Sequence, residues 1–311
     1  MTHIADRDAV PSPVTARTQA SLIVPVFNSQ QSLRQLHQTI VEYTASPEFD
    51  IEIVYVDDNS TDGSLDILRD IEAHAANVRV VAQPRNRGQS GALLAGIMAA
   101  RNDIVVTLDD DLQHRPRDIA RLLAALDGAS SRTLAMGIAE TLKRPLWRAG
   151  SGLAANMISN LFLAKPLPSQ MTTLCAFRRQ LCADLDPASD EPLPLMTALV
   201  QAAEVTRTVP ISLDSSLRGG SRYGVAALFR LFMSRSRYYK LSRVLAWLAV
   251  ASLLMAASAA LLLTPAANHH SVQTALLLAV PAAFWLMLAL LAIKVARRSR
   301  AAGLLPTNRP M

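Results

Sequence analysis

The sequence predicts an α/β domain built on a largely parallel sheet with helices on both faces, in a chain that ends in two membrane-spanning helices. Three observations carry this. Short β-rich runs alternate with stretches of helical apolar spacing over the first third of the chain. Acidic clusters follow directly on two of those β-rich runs. Two long apolar stretches near the C-terminus carry no charge at all.

Taken in order, residues 1–19 are polar and proline-dotted, lack the apolar run of a leader peptide, and read as a disordered tail. Ser21–Val26 (SLIVPV) is strand-like, and Gln31–Tyr43 then places Leu33, Leu36, Ile40 and Tyr43 on one helix face. Ile51–Val56 (IEIVYV) reads as a second strand and runs straight into Asp57-Asp58-Asn59-Ser60-Thr61-Asp62-Gly63-Ser64. A helix over Ser64–His74, a strand over Val78–Val81 and a glycine-opened helix over Gly88–Ala100 follow. Asp103–Leu108 is the next strand, and it delivers Asp109, Asp110 and Asp111. Strands joined through helices imply parallel pairing within one sheet.

In a parallel sheet the strand C-termini share one rim, and open α/β sheets bind their ligands there. Asp57 and Asp58 therefore belong beside Asp109 and Asp111. In extended chain, alternate side chains point the same way, so Asp109 and Asp111 converge while Asp110 faces elsewhere. Converging carboxylates repel unless a cation lies between them, and a hard divalent ion that also holds a phosphate is the usual answer. An isolated Asp-x-Asp would read as a solvated turn; the second acidic cluster on the same rim favours a site.

Charge is unevenly spread. The 311 residues hold 31 Lys and Arg against 25 Asp and Glu, a net of +6. From Ser215 onward there are twelve bases and no acid, which leaves nineteen bases against all 25 acids before it, a net of −6. A basic end of this kind seeks an anionic surface, nucleic acid or lipid. The apolar stretches decide for lipid. Val244–Leu263 gives twenty charge-free residues and Ala275–Ile293 nineteen, each long enough to cross about 30 Å of hydrocarbon as a helix. Arg235, Arg237, Lys240 and Arg243 precede the first stretch, and Lys294, Arg297, Arg298 and Arg300 follow the second. The positive-inside rule then puts both ends of this hairpin (244–295), the basic tail 296–311 and the N-terminal domain in the cytoplasm. Residues 216–243 interleave Tyr223, Leu228, Phe229, Phe232 and Tyr239 with cations, as helices lying in a headgroup layer do. Cys175 and Cys182 are too few for a disulfide framework and match no zinc spacing, which suits a reducing compartment.

Four ordered motifs resemble the family 2 glycosyltransferases, and within them the polyprenyl-phosphate glycosyltransferases. They are Val24-Pro25-Val26-Phe27-Asn28, Val56-Asp57-Asp58-Asn59-Ser60-Thr61-Asp62-Gly63-Ser64, Arg85-Asn86-Arg87-Gly88-Gln89 leading to Ala95-Gly96, and Leu108-Asp109-Asp110-Asp111-Leu112-Gln113-His114. The resemblance covers roughly residues 20 to 240 and implies a GT-A (Rossmann-like) nucleotide-sugar-binding domain over 20–215. Juxtamembrane amphipathic helices and the two-helix transmembrane hairpin follow it. It further implies transfer of a sugar from a UDP- or GDP-linked donor to undecaprenyl phosphate or a similar polyprenyl phosphate at the inner membrane, with Mg2+ or Mn2+. The expected partners are those two substrates and the lipid bilayer, with a homo-oligomer left open and no nucleic acid.

By the same resemblance, Pro25, Val26, Asn28, Asp57, Asp58, Arg85, Asn86, Gly88 and Asp110 line the donor. Asp109 and Asp111 hold the metal and diphosphate, with Gln113 and Arg148 beside them in catalysis. On its own chemistry, the Asn86–Gly88 stretch also reads as a helix-start turn. The acceptor phosphate falls to Arg144, Arg178, Arg218, Ser221 and Arg222. Three features depart from the family pattern, one of them Gly220, which stands where an acid is common. Ser169 stands where the family usually carries an Asp before its Phe/Tyr-Arg-Arg element, here Phe177-Arg178-Arg179, and Ser29 replaces the Glu after the first motif's Asn. These departures keep a second expectation in view, a catalytically degenerate membrane partner that binds nucleotide sugars.

Overall fold

The computed structural model describes residues 17–115, 117–140, 159–185, 194–213, 232–262, 282 and 284–296. They fall into two compact units, one formed by residues up to 140 with 167–213, the other by 159–166 with those from 232 onward.

The first unit is an α/β sandwich. Its strands are β1 (Thr18–Val26), β2 (Phe49–Asp57), β3 (Val78–Ala82), β4 (Ile104–Thr107), β5 (Thr133–Ala139), β6 (Met171–Arg178) and β7 (Val205–Ile211). The helices are α1 (Leu33–Thr44), α2 (Ser64–His74), α3 (Gly88–Ala99), α4 (Arg117–Ala124) and α5 (Leu195–Ala202). The seven strands form one sheet in the order β3-β2-β1-β4-β6-β5-β7. β1 to β4 pair in parallel, as the alternating pattern requires, while β6 runs antiparallel to both β4 and β5. The sheet is therefore mixed, and its antiparallel member was not among the expected elements. β1 also begins at Thr18, inside the stretch expected to be a tail.

Both faces of the sheet are covered, so its strands are apolar along their length. Leu22, Val24, Ile53, Tyr55 and Val106 point to one face and pack with Leu33, Leu36, Ile40, Leu68 and Ile119 of α1, α2 and α4. Ile23 and Val56 point to the other, toward α3. That helix lies close because residue 96 is glycine: a Cβ there would meet Ile23 Cγ2 at 2.3 Å and Val56 Cγ2 at 2.8 Å.

The second unit is organised by aromatic rings. Phe162, Phe232 and Tyr239 pack with ring centroids 5.2–5.7 Å apart. The Tyr239 hydroxyl donates to the Phe232 carbonyl at 2.9 Å, and Leu163 bridges Tyr239 in antiparallel fashion. Arg235 is buried with Nη1 donating to Ser159 Oγ at 3.1 Å, and burial lowers its pKa. Helix α6 (Leu241–Leu262) then runs for 22 residues. Trp285 Nε1 donates to Ser252 Oγ at 2.9 Å, joining α6 to helical residues 284–296. Leu253, Leu286 and Leu290 remain more than half exposed.

Among the described residues no helix is long and apolar enough to cross a membrane, so the expected transmembrane hairpin is not shown. Of Ala275–Ile293 only residue 282 and those from 284 onward are described, about 15 Å of helix up to Ile293 at 1.5 Å per residue. The expected tail 1–16, most of the amphipathic segment (214–231) and the basic tail beyond 296 lie outside the described residues.

Candidate active site

Register brings the acidic clusters together. Val26 at the end of β1 stands opposite Asp57 at the end of β2, and Ile23 stands opposite Thr107 at the end of β4. β1 thus lies between the two acid-bearing strands, whose backbones are about 10 Å apart at two strand spacings. All three strands end on the same rim.

The carboxylates do not sit in extended chain. β4 stops at Thr107, and Asp110 and Asp111 form a turn that Leu112 closes with φ +58°. Left-handed backbone is rare for a bulky side chain and marks a constrained turn. The turn, and not strand alternation, sets where Asp110 goes. Asp110 is buried and accepts from Ser29 Oγ, while its carbonyl accepts from Ser32 Oγ at 3.2 Å. It packs against the residues that lead into α1.

Asp109 lies within the field of the Asp111 charge. The Asp109 carboxyl is pushed up to about 6, first by burial and then by the Asp111 charge, against hydrogen bonds that pull the other way. Gln89 Nε2 donates to its Oδ1 at 2.6 Å, and Thr173 Oγ1 to its Oδ2. Asp111 Oδ1 accepts the Gln113 backbone N–H at 3.1 Å. Two hard-oxygen donors suit Mg2+ or Mn2+. Among the described residues no three His, Cys, Asp or Glu side chains form a complete metal cage. A cation held by two carboxylates and completed by substrate phosphate oxygens and water fits that donor set.

On the β2 side, Asp57 is buried. Its Oδ2 accepts the Ser60 N–H at 3.1 Å, while Oδ1 has no hydrogen-bond partner among the described residues. Asp58 accepts from Gln83 Nε2 at 3.2 Å and from the Arg87 N–H at 2.8 Å. Burial raises its pKa, and the Arg87 and Gly88 N–H groups partly offset this. The N-terminal amides of α3 therefore serve Asp58 within the protein. Asn86 Oδ1 accepts the Gly88 N–H at 3.1 Å and Gly88 has φ +72°, the helix-start turn that the sequence also allowed. Asn28, at φ +51°, ties the rim together, since its Oδ1 accepts the Thr61 N–H at 2.8 Å. Pro25 and Val26 are buried in the sheet, whereas Phe27, Asn28, Arg85 and Asn86 are exposed around the rim.

Arg178 is not at this rim. It pairs with Ile104 at the opening end of β4 and bonds Asp103 at 3.0 Å, because antiparallel β6 enters at the site and leaves at the far edge. As a holder of acceptor phosphate at the carboxylates it is corrected by strand direction. Arg144, Arg148, Arg218, Ser221 and Arg222 lie outside the described residues. Ser169 is exposed just before β6. Gln89 and Thr173 were missed as site residues. Gln89 lies within a quoted motif and could have been found there; Thr173 has no local signal.

The chain is 33% identical over 165 residues to the dolichol-phosphate mannosyltransferase of Mycosarcoma maydis, covering 50% of this chain and 54% of that one. It is 31% identical over 215 residues to the undecaprenyl-phosphate 4-deoxy-4-formamido-L-arabinose transferase of Edwardsiella ictaluri, covering 68% and 65%. The chain thus spans between half and two thirds of the length of these curated relatives. Glucosyl-3-phosphoglycerate synthase from Mycobacterium tuberculosis, solved with Mn2+, UDP-glucose and phosphoglyceric acid, superposes with a TM-score of 0.49 at 19% identity, over 72% of this chain and 79% of that one. The mixed sheet with helices on both faces is a GT-A-like α/β fold. Residues 21–185 match the family described as glycosyl transferase family 2, and the chain belongs to that family.

Proposed function

We propose that this chain is a membrane-bound, inverting glycosyltransferase that moves a sugar from a UDP- or GDP-linked donor to a polyprenyl phosphate. One observation carries the reading: Asp109 and Asp111 at the tip of β4 share a rim with Asp57 and Asp58 at the tip of β2, with β1 between them. The named relatives, which act on dolichol phosphate and undecaprenyl phosphate, support the acceptor class.

Asp109 and Asp111 would hold Mg2+ or Mn2+, which when bound neutralises negative charge on the departing nucleoside diphosphate. Gln89 and Thr173 keep Asp109 oriented toward that position. Exposed Phe27 and Asn28 offer a face and an amide to the nucleoside. The acceptor phosphate is already ionised near neutral pH, so it attacks the anomeric carbon without a strong general base. A single in-line displacement inverts the configuration there. What this attack needs is orientation and a cationic holder that offsets repulsion between two phosphate-bearing reactants. Arg144, Arg148, Arg218 and Arg222, with Ser221, are the candidates.

Membrane attachment rests on the charge-free stretches Val244–Leu263 and Ala275–Ile293 and their flanking cations. The half-exposed leucines of the second unit suit a lipid surround. The inner membrane, with the catalytic domain on its cytoplasmic side, is the location this implies. Exposed Ser169, where the family usually carries an acid, favours the second reading, a partner that binds the donor without turnover.

Incubating detergent-purified full chain with Mn2+, a polyprenyl phosphate and a panel of labelled nucleotide sugars separates the two. Labelled lipid from one donor supports transfer. Donor binding without labelled lipid favours the partner reading.

A further inference from the structure

We infer that Ser29 is a positioning residue for the carboxylate turn: its hydroxyl holds Asp110, the residue between Asp109 and Asp111, and so fixes that turn to the segment that offers Asn28 to the donor. This rests on the proposal that Asp109 and Asp111 hold a divalent cation.

Ser29 and Asp110 are 81 residues apart in sequence and only 3% and 8% exposed, and Ser29 Oγ donates to Asp110 Oδ2. Ser32 Oγ donates to the Asp110 carbonyl at 3.2 Å. The backbone of Ser29 is itself held on both sides. Its N–H donates to Ser64 Oγ, at the start of α2, at 2.8 Å. Its carbonyl accepts the N–H groups of Ser32 at 2.9 Å and Leu33 at 3.2 Å, where α1 begins. The neighbours continue the seam, since the Asn28 N–H donates to Ser60 Oγ at 3.0 Å and Gln30 Oε1 accepts the Gly63 N–H at 2.9 Å. Residues 28–32 are therefore tied to the loop after β2 on one side and to the turn after β4 on the other.

Hydrogen bonds to an ionised group are among the strong ones, and a buried carboxylate that loses its donor is drawn toward water. Asp110 is one peptide bond from each proposed ligand, so a displaced Asp110 displaces both. The serine at 29 then has a physical reason. With an acid at 110, a second acid at 29 would set two carboxylates against each other in a buried place. Ser29 is what Asp110 requires, and its departure from the family pattern is no sign of a lost activity.

The test is Mn2+ affinity of the full chain in detergent, read as loss of the free-ion paramagnetic resonance signal, without substrate and well below each protein's unfolding midpoint. Ser29→Ala is expected to bind Mn2+ about 10–100-fold more weakly than the parent, the usual effect of removing an outer hydrogen bond from a metal site. Parental or tighter affinity in folded Ser29→Ala overturns the inference. A reciprocal exchange covers the case in which that variant does not fold. Ser29→Asp alone buries two carboxylates together and is expected to lower both Mn2+ affinity and the unfolding midpoint. Adding Asp110→Ser restores one carboxylate and one hydroxyl, and should raise the midpoint and recover at least about tenfold in affinity. No recovery in the exchanged protein overturns the inference. If the parent binds no Mn2+, or Asp111→Asn binds it as tightly as the parent, the underlying carboxylate proposal is what fails.

Discussion

Gln89 Nε2 donates to Asp109 Oδ1 at 2.6 Å, so the first turn of α3 holds a carboxylate that β4 delivers. Thr173 at the start of β6 holds the other oxygen. The carboxylate is thus oriented from two directions before any ligand arrives, and removing either partner lets it turn.

Gln89→Ala is expected to lower kcat/KM for transfer about 10–100-fold, the loss of a hydrogen bond to a charged group worth roughly 1.5–3 kcal/mol. The side chain is surface-accessible, so the unfolding midpoint should barely move. Steady-state kinetics beside thermal denaturation checks both.

Gly96→Val should destabilise the first unit by about 1–3 kcal/mol. Its side chain would enter space held by Ile23 Cγ2 and Val56 Cγ2, both fully buried side chains on strands that lead to the rim. Chemical denaturation measures this, and donor affinity should fall with it.

Acid should weaken the fold partly through His37. Its Nδ1 lies 3.2 Å from the hydroxyl of fully buried Tyr55, and burial lowers its pKa below 6.5. A depressed histidine favours the neutral form in the fold. The stability it lends is present above about pH 6.5 and is lost as pH falls through the lowered value. Between pH 7.5 and 5.5 the melting temperature of the parent should therefore fall more than that of His37→Gln.

If the charge-free stretches anchor the chain in lipid, it stays with membranes through an alkaline carbonate wash, and Leu253→Arg releases it or blocks its accumulation. Leu253 is 71% exposed on α6, and a cation at mid-helix in lipid costs about 2.5–3.5 kcal/mol on insertion scales. Fractionation and immunoblotting read the outcome.

The first four strands and three helices were legible because short β-rich apolar runs alternate with helical stretches between turn residues, and their ends fall within three residues of those expected. The shared rim followed from parallel order alone. β5, β6 and β7 were not legible. Thr133–Ala139 and Met171–Arg178 are short buried runs whose pairing is set by distant neighbours. That gap explains the error at Arg178. Arg178 was placed at the site as a cationic holder for the acceptor phosphate, but antiparallel β6 carries it to the opening end of β4, opposite Ile104. At Asp110 the premise of alternation in extended chain fails, since β4 ends at Thr107 and the residue lies in a turn, and only the structure reveals Ser29 and Ser32 as its partners.

The central claim is that the β4 carboxylates grip a cation and diphosphate during sugar transfer to a lipid phosphate. The most direct measurement compares the parent with Asp111→Asn for cation-dependent formation of labelled polyprenyl-phosphate sugar from the donor that the parent uses. The account predicts product from the parent only with Mg2+ or Mn2+, and a loss of at least about 1000-fold in the variant, on the order of 4 kcal/mol. Equal product from both proteins, or undiminished product from the parent after chelation, would contradict it.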